Sequence, residues 1–104
     1  MKKTSDLATQ QLKIQKIVED YFLANSHYAV PFYLTTAENK DHIVITGTSI
    51  LMTKWGIGYR GGGFVQAVVD NDLTRAFANA DDINQHAMKF YTMLMYNVGM
   101  PSDL

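Results

Sequence analysis

Tyr28-Ala29-Val30-Pro31-Phe32-Tyr33-Leu34-Thr35, followed at a short distance by His42-Ile43-Val44-Ile45-Thr46, is the stretch on which the reading of this chain turns. Both runs are rich in aromatic and β-branched residues, which suit a pleated, half-buried strand. Pro31 confines the first run to a sheet edge or a strand start, because it cannot donate to the ladder. Thr36 to Asp41 is polar and turn-like, so the two runs read as a hairpin with a loop longer than two residues. Gly47 ends or bulges the second strand. Ile50 to Trp55 is short and apolar, compatible with a buried helical turn but expected as a third strand.

On the N-terminal side, Ile14, Ile17, Val18, Tyr21 and Phe22 recur at steps of three and four, which predicts a helix over Leu7 to Ala24 with Ser5 or Asp6 as its cap. Asn25-Ser26-His27 breaks that pattern. On the C-terminal side, Gly56, Gly58, Gly61, Gly62 and Gly63 crowd five of the seven glycines into a loop. Phe64 to Ala80 then carries a helical stripe of Val65, Val68, Val69, Leu73, Ala76 and Ala80. A third helix begins near Asp82, where Gln85 completes a capping-box pattern, and ends at Gly99 before Pro101. The expected fold is α+β: an N-terminal helix, a small two- or three-stranded antiparallel sheet, a glycine-rich loop and two C-terminal helices, all in one domain spanning 1–104.

The composition narrows the function classes. Nine Lys and Arg against ten Asp and Glu give a formal net charge of −1, which speaks against duplex nucleic acid as a partner, since that affinity comes from many cations on many phosphates. The acidic excess gathers toward the C-terminus, where Asp70, Asp72, Asp81, Asp82 and Asp103 outnumber Arg75 and Lys89. No apolar run approaches the ~20 residues of a membrane span, and the basic start Met1 to Asp6 leads into a charged helical pattern rather than a signal peptide. The absence of cysteine agrees with a cytosolic setting.

Gly56-Ile57-Gly58-Tyr59-Arg60-Gly61 satisfies G-x-G-x-x-G, but everything after Phe64 reads as helix, so the parallel strand of a dinucleotide fold is missing. A broader reading is open: Gly61, Gly62 and Gly63 expose N–H groups where a helix begins and Arg60 adds a fixed charge, which suits a phosphate or carboxylate, against the plainer reading of a flexible connection. Asp72 falls inside the stripe of the second helix and requires a partner there. Arg75 and Asn79 share its edge, either as an internal link or as the lining of a pocket in which Asn71 and Asp72 read a ligand's edge. His27, His42 and His86 lack mutual metal-ligand spacing, with Asp82 and His86 as the sole local pair, and Ser26, Ser49 and Ser102 sit in no nucleophile context. No catalytic constellation, metal or cofactor is expected.

The last helix carries a second apolar stripe of Met88, Tyr91 and Met95 beside Met93 and Tyr96, which predicts a homo-oligomer joined through it. Tyr28, Phe32, Tyr33, Trp55 and Tyr59 suit a core, although one or two near the glycine loop can stack on a planar base.

From Gly62 to Pro101 the run Gly62-Gly63-Phe64-Val65, Ala67-Val68-Val69, Asn71-Asp72-Leu73, Ala76, Ala80-Asp81, Asn84, Tyr96-Asn97 and Pro101 resembles a group of small bacteriophage and prophage proteins. The resemblance implies an accessory protein acting in the host bacterial cytoplasm. It suggests a non-enzymatic protein that sequesters a small anionic ligand such as a signalling nucleotide to counter host defence. The alternative is an inhibitor that grips a host enzyme or defence complex, and a small enzyme comes third.

Overall fold

The computed structural model describes residues 6–104, and every regular element among them is a helix. The order is α1 (Leu7–Ala29), a 3₁₀ turn (Phe32–Thr35), α2 (Ala37–Trp55), α3 (Gly63–Val69), α4 (Leu73–Ala78), α5 (Asp82–His86) and α6 (Met88–Asn97). The expected α+β fold is therefore corrected to an all-helical one.

Asp6 caps α1 by accepting the backbone N–H of Thr9 at 2.8 Å, and that bond holds its carboxyl below the usual carboxylate range. Ser5, the other candidate cap, lies outside the described residues. The helix runs through Asn25-Ser26-His27 rather than ending there, with Asn25 turning its amide back onto the Tyr21 carbonyl at 2.9 Å. Ile14, Val18 and Phe22 form its buried face.

The expected hairpin is where the structure departs most. Pro31 and the aromatics after it make one 3₁₀ turn, whose Leu34 alone is buried, and His42 to Thr46 lies inside the 19-residue α2. Ile43, Val44, Gly47, Thr48, Ile50 and Leu51 are buried at helical, not alternating, spacing. Thr36 starts α2 by capping Asn39. Gly56 stops it in the left-handed region at φ 70°, with Ile57 N–H bonded to the Met52 carbonyl and Gly56 N–H to that of Thr53. Within α2, Gly47 is neither a strand end nor a bulge: a Cβ there would stand 2.9 Å from Val18 Cγ1 and 3.0 Å from Leu94 Cδ2. It is the point where α1, α2 and α6 cross, and their approach needs a residue without a side chain.

The expected second and third helices are divided. Phe64 to Ala80 splits into α3 and α4 at Asp70-Asn71-Asp72, where Asn71 takes φ 59°, and the final stretch splits into α5 and α6 at Ala87. Asp81, not Asp82, caps α5, accepting the Asn84 N–H at 2.7 Å while its other oxygen meets His42 Nε2 at 3.1 Å. The core lies between α1, α2 and α6, with Phe22, Phe90 and Tyr91 in edge-to-face contact with aromatic neighbours and α3 covering one side through Phe64.

Candidate functional site

Alpha6 has two faces. Ala87, Phe90, Tyr91 and Leu94 are fully buried, whereas Met88, Thr92, Met95 and Tyr96, spaced four, three and one apart, look outward into a groove. The opposite wall comes from the α3–α4 pair: Ala67, Val68 and Val69, then Asn71 and Asp72 at the break, then Leu73 and Ala76. Lys54, from the last turn of α2, closes one end. The groove encloses about 470 Å³.

The floor is apolar because α3 and α4 turn small residues toward α6. Leu73 and Tyr96 stand on opposite rims with most of their surface in water. The polar groups at the rim are largely engaged. Lys54 donates its ammonium to the Met95 carbonyl at 2.6 Å, and Asp72 accepts the Arg75 backbone N–H at 3.1 Å as the cap of α4. Methionine side chains in such a wall adapt to the shape placed against them.

The residues singled out from sequence fall in three places. Asn71 and Asp72 line the groove, and so do Met88 and Met95, so the expected ligand-reading pair and the expected interface stripe meet in one surface. Tyr91 does not join it: its side chain is fully buried, with its hydroxyl donating to Asn84 Oδ1 at 2.6 Å. Arg75 points away from the groove lining and bridges the break, with Nη2 3.1 Å from Asp70 Oδ2 and Nη1 3.6 Å from Asp72 Oδ2. Asn79 completes the polar strip by donating to the Arg75 carbonyl at 2.8 Å. Asp72 sits in the apolar stripe only if the helix is continuous; the break at Asn71 turns it into a cap.

Arg60, Gly61, Gly62 and Gly63 lie elsewhere, beyond the C-terminal end of α2. Gly61 is committed internally, its N–H donating to Thr53 Oγ1 at 2.9 Å and its carbonyl accepting Gln66 Nε2 at 2.6 Å. Gly62 caps α3 and Gly63 begins it, while Arg60 is exposed and without an ion pair among the described residues. The loop and Asp72 therefore do not converge on one anion. Among the described residues no three His, Asp or Glu side chains stand close enough to hold a metal, and His86 Nδ1 meets the backbone carbonyl of Asp82 at 2.9 Å rather than its carboxylate.

Sequence reasoning placed Tyr96 beside Met88 and Met95 but missed Lys54, Leu73 and Thr92 as partners in that surface. The spacing of Met88, Thr92 and Tyr96, one helical turn apart, carried that signal for α6; nothing in the sequence placed Lys54 beside them. Compared with protein-family models, curated proteins and solved structures, the chain matches none, and its functional reading rests on this geometry.

Proposed function

We propose that the protein is a non-enzymatic binding module whose α3–α4/α6 groove receives an amphipathic segment of a protein partner, in keeping with an accessory phage protein that grips a component of the bacterial cytoplasm. One observation carries the reading: Leu73 and Tyr96, both largely exposed, rim an apolar trough lined by adaptable methionines. A small anion is favoured less at this place, because Lys54 is bonded to Met95 and Arg75 is braced between Asp70 and Asp72. An amphipathic segment needs only apolar anchors for the floor and polar flanks for the rim.

The test is site-specific photocrosslinking in bacteria. A benzophenone side chain introduced at Thr92, within the groove, should give one discrete adduct with another protein, and the same group at Ala24, on the exposed side of α1, should give none. Leu73→Asp should abolish the Thr92 adduct while leaving the helical circular dichroism spectrum unchanged. An adduct that persists in Leu73→Asp, no adduct, or one of twice the chain mass would each overturn the proposal, the last in favour of self-association.

A further inference from the structure

A second cavity shares no lining residue with the groove. It lies where the start of α1 passes the end of α2 and the loop after Gly56, and it encloses about 250 Å³, close to the ~300 Å³ lower end of small-molecule sites and thus sized for one ring system. Its chemistry is distinctive. Gln11 and Gln15, one helical turn apart on α1, present two side-chain amides, and Ser49 adds a hydroxyl. None of the three has a side-chain hydrogen bond to another described residue, whereas the neighbouring Thr48 hydroxyl is used up on the Val44 carbonyl at 2.7 Å. Leu7, Met52 and Ile45 supply an apolar bed. No ionised side chain lines the cavity.

The loop adds two features. Tyr59 lines the cavity yet is 92 % exposed, an aromatic ring at the mouth that does not pack into the core. The loop backbone on either side of it is closely packed: Gly58, at φ 71°, lies against Leu7 and Met52, and Gly61 lies so close to Ser49 Oγ that a Cβ would stand 2.7 Å from it. Arg60 follows Tyr59 in the chain and is exposed, which puts a long, fixed positive charge one residue from the mouth.

We propose that the cavity formed by Gln11, Gln15, Ser49 and Tyr59 binds a nucleoside monophosphate, the base resting under Tyr59 and the phosphate on Arg60. A nucleobase edge carries donors and acceptors side by side, which a primary amide matches because it offers both. A tyrosine at the rim stacks on any base, and a guanidinium pairs with phosphate in bidentate fashion. A neutral lining suits the uncharged base, with the positive charge kept at the mouth for the phosphate.

Titration of isotope-labelled protein with adenosine and uridine 5′-monophosphates to millimolar concentration, followed by nuclear magnetic resonance, tests this. Saturable shifts of the Gln11 and Gln15 side-chain amides are expected. Tyr59→Ala should weaken binding at least tenfold. Arg60→Ala should weaken the monophosphates about tenfold and leave the unphosphorylated nucleosides unchanged. Both side chains are exposed, so both variants keep the fold. The proposal is overturned if neither nucleotide shifts these amides, if inorganic phosphate alone reproduces the shifts, or if both variants bind as the parent chain does. The groove plays no part, so Leu73→Asp should bind nucleotides normally.

Discussion

Tyr91 shows how one residue can be apolar in pattern and polar in role. Its ring lies in edge contact with Phe64 and Phe90, and its hydroxyl is the partner of the buried Asn84, which ties the five-residue α5 to α6. Burial pushes the Tyr91 phenol well above its ordinary value of 10.0, since a phenolate there would lose its hydration. Tyr91→Phe keeps the packing but leaves the Asn84 carbonyl oxygen without that donor, and we expect a loss of about 1–3 kcal/mol in urea denaturation near neutral pH. The pH dependence follows in sign. The folded state keeps the Tyr91 proton longer than the unfolded chain, so its contribution to stability is whole below pH about 10 and declines above it as the unfolded tyrosine ionises. The parent chain should therefore lose stability more steeply than Tyr91→Phe between pH about 9.5 and 11, and equal slopes would refute the burial argument.

At the level of elements, the break between α3 and α4 sets the shape of the groove. Asn71 in the left-handed region reverses the chain and Asp72 restarts it as a cap, while Arg75 clamps both carboxylates. The clamp is about half exposed and adds little on its own, whereas loss of a capping side chain typically costs about 1 kcal/mol. Asp72→Ala should lower the melting temperature by roughly 4–8 °C, and Asp72→Asn, which can still cap, should restore most of it. Unaltered melting of the alanine variant would return Asp72 to a purely ligand-facing role. This break also explains what the sequence could and could not disclose. Alpha1 was legible because one side packs inward and the other meets water, and its N-terminal cap at Asp6 followed from spacing, whereas its end did not, since Asn25-Ser26-His27 continues the helix to Ala29. Alpha2 was not, because Ile43-Val44-Ile45-Thr46 is β-branched throughout and Ile45 stands exposed on its outer side, so a short window through it looks like a strand. Its helical period emerges only when Ile43, Gly47, Ile50 and Leu51 are read together with the cap at Thr36 and the stop at Gly56. The groove was half legible: Asn71, Asp72, Met88 and Met95 stood out, but a tertiary contact brought them together.

Across the molecule, the C-terminal segment is tied to α1. Asn97 donates to the Tyr21 hydroxyl at 2.8 Å, and Gln10 donates to the Leu104 carbonyl at 3.0 Å, so the stretch from the end of α6 to Leu104 is held along α1. Two long helices and the inner face of α6 thus form a frame, onto which α3, α4 and α5 are laid. Those three have seven, six and five residues, lengths at which a helix does not persist in water without packing. The wall of the groove that carries Leu73 belongs to this second group. Such a wall opens locally without unfolding the frame, and its amide hydrogens should exchange with solvent deuterium orders of magnitude faster than those of Ile14 to Phe22 or Ile43 to Leu51. A partner seated in the groove should slow exchange in Leu73–Ala78 while the frame stays as it was; uniform protection of all six helices would mean that the wall is as rigid as the core behind it.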